Sequence, residues 1–281
     1  MGLLRHLEYC NRFDARRFRP LQFRGKRIGW VRDDNAALLA RFPEIFVVDD
    51  KTVTLTARGG FDEISDAVDR VVEALVADGA VSKWRNESFG VTPVWGDPPL
   101  FKIDRGAVPL LGVRAYGVHL NGWRRDTAGR IQLWIGRRAP DKKVDPDKLD
   151  NLVAGGIGYP HGIEDTLLKE AGEEAGMDKA LASRAVAKGA IGYRMEWSTG
   201  ARDDTLYIYD LETPADFTPH PHDGEIVAFM LMDAAEVLDR VDRTDDFKFN
   251  VNLVIIDFAL RHGLIPRAHP EYAALKQGLR P

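Results

Sequence analysis

Residues 155–177 read GGIGYPHGIEDTLLKEAGEEAGM, and this stretch decides the fold. A glycine-rich loop runs into a helix expected from about Ile163 to Ala175, with Gly176 placed to cap its C-terminus. Leu167, Leu168, Ala171 and Ala175 make an apolar stripe that must face a core. Glu170, Glu173 and Glu174 stand at i, i+3 and i+4, so their side chains share one face. Three carboxylates on one patch repel, and the helix alone gains nothing from them. A hard cation such as Mg2+ or Mn2+ converts that repulsion into ligation by oxygen. The loop glycines let backbones approach closely, so a loop carbonyl is a further candidate ligand. Mg2+ held by few carboxylates takes phosphate oxygens as additional ligands, which points to a phosphate-bearing partner. An isolated Glu-x-x-Glu-Glu is usually a solvated acidic face. Here loop, helix and terminal glycine come together in one order.

Outward from this segment the chain alternates strand and helix patterns. On the C-terminal side, strands are expected at Ala187 to Tyr193, Thr205 to Leu211 and Glu225 to Met232, then helices at Ala234 to Val241 and Phe249 to His262. On the N-terminal side, Val113 to Leu120 and Ile131 to Ile135 read as strands around a polar turn, Arg124 to Gly129. Before a Pro/Gly cluster at Pro93 to Pro99 lies a differently textured third. It holds a short helix at Leu3 to Phe13, two strands around Arg24-Gly25-Lys26, and a short helix at Asn35 to Phe42. A hairpin around Asp49-Asp50-Lys51 follows. Phe61 to Ala77 is a strongly amphipathic helix stopped by Asp78-Gly79. The domain boundary is drawn near residue 110, giving a small α+β domain over 1–110 and a second domain over 111–281.

Composition limits the function. The chain has 281 residues, enough for roughly two domains. Lys plus Arg is 39 against 43 Asp plus Glu, a net charge of −4, which excludes a globally basic nucleic-acid binder. The lone cysteine, Cys10, excludes an intrachain disulfide and multi-cysteine metal sites. Val251 to Leu260, the longest apolar run, is broken by Asn252 and Asp257, so no membrane span is expected. The opening residues carry charge too early for a signal peptide, and a cytoplasmic protein is expected.

The order of residues 155–177 resembles the signature of the Nudix hydrolases. That pattern is Gly, five residues, Glu, seven residues, Arg-Glu-apolar, one residue, Glu-Glu, one residue, Gly-apolar. Set on Gly155, it meets Lys169-Glu170-Ala171, Glu173-Glu174 and Gly176-Met177 without a gap. Two positions depart. The family's first Glu is His161 and its Arg is Lys169, a pair that in the family braces the loop against the helix. The resemblance implies an α+β protein whose second domain is a Nudix α/β/α sandwich with a mixed sheet. It implies Mg2+ or Mn2+ held by Glu170, Glu173, Glu174 and the Gly155 carbonyl. It further implies hydrolysis of a diphosphate anhydride in a small-molecule substrate. The acidic balance argues against a nucleic-acid partner and the lack of a spanning run against a membrane one, while a homodimer stays open.

The resemblance reaches further. Residues 4–13, Gly29-Trp30-Val31, Trp84-Arg85-Asn86-Glu87, Gly192-Tyr193, residues 207–212 and Asp223-Gly224-Glu225-Ile226 look like a Nudix subgroup. This subgroup is related to the region fused to thiamine pyrophosphokinase in some fungi. It implies a diphosphatase acting on thiamine diphosphate and, better, on its oxidised analogues. Two alternatives stand beside it: a general hydrolase of ADP-ribose or damaged nucleotides, and a non-catalytic Nudix-fold ligand sensor.

In related proteins an acid at the position of Glu225 reaches the metal or serves as catalytic base beside Glu173 and Glu174; otherwise it is a strand-edge surface acid. Tyr193 and Trp197, before a polar loop from Ser198 to Asp204, either stack on a substrate ring or pack a core. Arg202 either contacts the diphosphate or belongs to that loop. His220-Pro221-His222 reads as a surface loop rather than a zinc site, and Cys10 as an inert thiol. The basic run Arg12 to Arg27, threaded by Phe13, Phe18 and Phe23, suggests a patch closing over an anionic substrate or a partner subunit.

Overall fold

A computed structural model describes residues 2–81, 86–222 and 224–279. Trp84, Arg85 and Asp223, which carry part of the subgroup resemblance, lie outside the described residues. The chain opens with α1 (Leu4–Cys10) and the antiparallel hairpin β1 (Phe18–Phe23) and β2 (Lys26–Arg32), which turns at Arg24-Gly25. After α2 (Asp33–Leu39) comes the short antiparallel pair β3 (Phe46–Val48) and β4 (Val53–Leu55). Asp49 closes that hairpin by accepting the Lys51 and Thr52 amides, each at 2.8 Å. The sheet order is β2-β1-β4-β3, with β1 and β4 parallel. Helix α3 (Phe61–Ala77) starts and stops where its periodicity predicts and lays Ile64, Val68, Val71, Val72 and Leu75 into the core. A second antiparallel hairpin, β5 (Ser88–Val91) and β6 (Phe101–Asp104), joins that core through Phe89, Val91, Phe101 and Ile103. It was not anticipated, because its strands are four residues each and the Pro/Gly cluster between them reads as linker.

Past α4 (Val108–Leu111), strand β7 (Arg114–Arg125) organises the second unit. One edge pairs in parallel with β12 (Gly200–Glu212) from Arg114 to Trp123. The other edge is shared. Gly117–Leu120 pair with β10 (Val153–Gly156), and Trp123–Arg125 pair with β8 (Ile131–Arg138). β9 (Leu149–Asp150) and β13 (Ile226–Asp233) add to β8, and β11 (Val186–Trp197) adds to β12. Helix α5 (Ile163–Ala175) covers one face with Leu167, Ala171 and Ala175 against Leu120, Leu152 and Val153. The short α6 (Lys179–Ala182) follows it. Helices α7 (Ala234–Arg243) and α8 (Val251–Arg261) cover the other face, and the chain ends in α9 (Tyr272–Gly278). The twofold period of β12 serves both layers: Leu206 and Ile208 point to α8, while Tyr209 and Leu211 point to α5. The result is the expected α/β/α sandwich on a mixed sheet behind a small α+β unit. Among the described residues no helix is long and apolar enough to cross a membrane.

Helix α1 is placed unlike the other elements of the first 110 residues. Leu3, Leu7 and Cys10 sit in the core formed by α8, α9 and the sheet, with Ile191, Val254 and Leu275. Helix periodicity predicted α1 but carries no information about which core receives it.

Candidate active site

The glycine loop leaves the sheet where β10 parts from β7. Three backbone bonds fix it: Ile157 N–H to Tyr116 O, Tyr159 N–H to Ser88 O and His161 N–H to Gly158 O, each at 2.8 Å. Asp165 caps α5 by accepting the Gly162 amide at 3.3 Å, and the Thr166 hydroxyl donates to Gly162 O at 2.9 Å. Gly176 closes the helix in the left-handed region, φ 62°. Helix α5 therefore delivers its glutamates at the edge of β10.

Glu174 is 4% exposed and accepts the Ala154 amide at 2.8 Å. Burial pushes its proton affinity well above the usual carboxylate range, and Asp150 and Glu170 push it further. Burial also raises the Glu170 carboxyl, opposed by the Lys169 ammonium and reinforced by Glu173 and Glu225. Glu170 lies flat on Gly155, where a Cβ would stand 2.5 Å from the Glu170 carboxyl carbon. Only glycine permits that approach. Lys169, the departure from the family's Arg, pairs with these glutamates. Its Nζ is 2.6 Å from Glu173 and 3.3 Å from Glu170. The loop is held by its backbone bonds and by Asp165 instead.

Glu225 lies near enough for its charge to act on Glu170. Burial tends to raise its own carboxyl, but the Lys142 ion pair, with Arg105 and Arg138 behind it, keeps it below the usual range. Asp150 behind Glu174 is buried, and Arg138 at 2.8 Å and Lys248 at 3.4 Å offset the cost of its charge. Arg105 comes from the N-terminal unit. It pairs with Glu87 at 2.8 Å and sits over the Phe89 ring, 5.7 Å from its centroid. Phe89 in turn fills the space a Cβ at Gly156 would need, with its nearest ring atom at 2.7 Å. Arg105, Lys142, Arg138 and Lys248 were missed from sequence because each lies outside residues 155–177 and none lies in a motif.

Tyr193, Trp197 and Arg202 gather elsewhere, about Phe249. Tyr193 is 3% exposed, and its hydroxyl donates to Asp204 at 2.5 Å. Its ring meets Phe249 edge-on at 5.8 Å. Trp197 packs on the same ring at 5.5 Å. The Arg202 guanidinium lies over Trp197 at 4.7 Å and pairs with Asp204 at 3.4 Å. Tyr193 is thus a core residue, because Ile191, Tyr193 and Met195 alternate toward α8 along β11. The expected polar loop is instead the start of β12, with the turn confined to residues 198 and 199. The basic run is largely engaged within the chain: Arg16 with Asp14, Arg17 with Glu196, Arg19 with Asp33, and Arg27 over Trp30. His220 and His222 are exposed in a loop. Cys10 is fully buried, and burial pushes its thiol up to about 12.

Among the described residues no three acidic, histidine or cysteine side chains converge closely enough to ligate one ion. Lys169 bridges Glu170 and Glu173, the place a cation would take. The donor set itself fits a hard cation: carboxylate oxygens that burial makes costly to leave uncompensated, beside a glycine that admits Glu170.

Glycine loop, capped helix and glutamate face on this sandwich define a diphosphate hydrolase of one particular class. Residues 116–252 match the NUDIX domain, and residues 2–115 match a domain of unknown function (DUF4743). Two Arabidopsis thaliana proteins are similar along nearly the whole chain. "Nudix hydrolase 24, chloroplastic" is 38% identical over 99% of this chain and 78% of its own length. "Nudix hydrolase 20, chloroplastic" is 36% identical with the same coverage of both chains. The crystal structure of DR0079 from Deinococcus radiodurans, 22% identical, covers 60% of this chain and 97% of its own at a TM-score of 0.44. The chain belongs to the Nudix hydrolase family, whose members act on nucleoside diphosphate derivatives and generally use divalent metal ions.

Proposed function

We propose that this protein is an Mg2+- or Mn2+-dependent diphosphatase that hydrolyses thiamine diphosphate and, better, its oxidised analogues to the monophosphate and phosphate. The observation that carries metal dependence is the pair of carboxylates packed against β10, the buried Glu174 and the half-buried Glu170, both with raised proton affinity. The substrate rests on the subgroup resemblance of the N-terminal residues and of residues 192–226.

Glu170, Glu173, Glu174 and the Gly155 carbonyl would hold the metal. Bound there, it supplies charge neutralisation for the diphosphate and acidifies water. Glu225, kept ionised by Lys142, is the group we assign to take the proton from the attacking water. The water oxygen bonds to one phosphorus, the bridging P–O bond breaks, and phosphate departs. Arg105 and Arg138 raise the local positive potential that attracts the diphosphate. Glu174 holds α5 to β10 through Ala154, which keeps Glu170 on Gly155.

The test is phosphate release from a panel of thiamine diphosphate, its oxidised forms, ADP-ribose and nucleoside triphosphates, with and without Mg2+ or Mn2+. Oxidised thiamine diphosphate should be turned over most efficiently. Preference for ADP-ribose would leave the general hydrolase and remove the thiamine assignment. Binding without turnover of any of them would make the protein a sensor. We assign it to the cytoplasm, a reducing compartment that suits a lone free cysteine; the two plant relatives are named chloroplastic.

A further inference from the structure

A cleft of about 400 Å³ opens between the two units, beside the glycine loop and apart from the glutamates. One wall is the segment after β5, carrying Trp95 and Asp97; the other is loop 157–162, carrying Tyr159 and His161. Both aromatic rings are fixed from behind. The Tyr116 hydroxyl donates to Thr92 O at 2.9 Å and Arg114 donates to Pro93 O at 3.1 Å, which pins the first wall to β7. Trp95 then rests edge-on against Tyr116 at 4.9 Å and Tyr207 at 5.8 Å. Tyr159 packs on Phe61 of α3 at 5.0 Å, yet remains 40% exposed. Rings held in advance cost little entropy when a flat ligand stacks on them.

The charge of the lining selects the ligand. Asp97 is acidic, and among the described lining residues there is no lysine or arginine. The amide of Gly162 at the helix start is already taken by Asp165, so the cleft offers little to a second phosphate. The loop also fixes the distance. From Gly155, beside Glu170, to Gly158 in the cleft lining is three residues of extended chain, roughly 10 Å.

We infer that this cleft seats a planar aromatic heterocycle, neutral or cationic, carried by the diphosphate substrate, with Trp95 and Tyr159 as its stacking walls and Asp97 favouring positive charge. This rests on the diphosphatase reading and adds where the ring is held; Asp97 discriminates by ring charge and does not supply the preference for oxidised analogues. It also gives the N-terminal unit a role, since the wall bearing Trp95 and Asp97 belongs to it.

The test is calorimetric binding to the full chain without metal, so that it does not depend on turnover. The probes are thiamine monophosphate, which carries a cationic ring, adenosine 5′-monophosphate, which carries a neutral one, and ribose 5-phosphate, which has none. The two ring compounds should bind more tightly than the ringless control. Trp95→Ala and Tyr159→Ala should each weaken ring binding about tenfold, as loss of one stacking partner does. Asp97→Lys changes an exposed side chain that no packing requires. It should weaken thiamine monophosphate at least about fivefold and leave adenosine 5′-monophosphate within about twofold, even where Trp95→Ala fails to fold. Equal binding of all three probes overturns the inference, as does unchanged affinity in Asp97→Lys together with Tyr159→Ala. Ring-selective binding without hydrolysis of any diphosphate would remove the diphosphatase reading and keep the cleft.

Discussion

Replacing Lys169 by Gln probes what compensates the glutamates before metal arrives. Lys169 Nζ contacts Glu173 at 2.6 Å and Glu170 at 3.3 Å. Lys169 and Glu173 are about half exposed, so that i,i+4 pair is worth roughly 0.3–0.5 kcal/mol. Glu170 is 18% exposed, and its longer contact adds a similar or slightly larger amount, about 0.5 kcal/mol. A cation entering between these carboxylates must displace the ammonium and loses that sum, about 1 kcal/mol. Lys169→Gln removes the competitor and its positive charge. Metal affinity should therefore rise about fivefold, since 1.4 kcal/mol is tenfold. In the metal-free protein the same change should lower stability by about 1 kcal/mol, shifting the melting midpoint by a few degrees. Titrating Mn2+ into both proteins by calorimetry, without substrate, measures the first effect; thermal unfolding in chelator measures the second. Unchanged or weaker Mn2+ binding in a folded Lys169→Gln protein would refute the displacement argument and return Lys169 to a purely structural role.

Glu174→Gln keeps size and a hydrogen-bond acceptor for Ala154. We expect at least about a hundredfold loss of phosphate release with circular dichroism unchanged, and full turnover in the folded variant would remove the assigned metal site. His119 is buried against Asn151, and burial, with Lys248 nearby, lowers its pKa to about 4. Between the unfolded value near 6.5 and that folded value, only the unfolded chain takes the proton. Stability should then fall by about 3 kcal/mol as the pH drops through this window and be unaffected above it. Urea unfolding from pH 7 downward checks this, and a His119→Gln protein with the same slope would contradict it. A chain beginning near Leu110 loses Leu3 and Leu7 from the sandwich core, a cost of about 3–6 kcal/mol. We expect it to be poorly soluble or to melt far below the full chain; a midpoint within a few degrees would mean α1 is dispensable.

Helices α3 and α5 were readable almost to the residue, because each has a local apolar period and local stop signals: Asp78-Gly79 after one, Gly176 after the other. The glutamate face of α5 was readable for the same reason, since i, i+3 and i+4 share a face in any helix. Strand existence along β7, β8, β11, β12 and β13 followed from β-branched and aromatic runs, though their lengths did not, because pairing partners rather than propensity extend a strand. Gly155 stood out in the sequence as the first residue of the signature and, by the resemblance, a carbonyl ligand; that it admits the Glu170 side chain is a fact of how α5 docks on β10. Tyr193 shows the limit from the other side. Its position before a polar stretch left ligand contact and core packing both open, and strand alternation toward α8 puts it in the core.

What the amino-acid order determined alone is therefore the set of elements and the residues of the glutamate helix, since those depend on neighbours within a few positions. The tertiary structure decided which distant groups share a space with them. It brought Arg105 and Lys142 toward Glu225, set Trp95 across a cleft from Tyr159, and sent α1 into the core of the second unit. Contacts between residues tens to hundreds of positions apart exist only once chain closure has been offset by burial, and no local period records them.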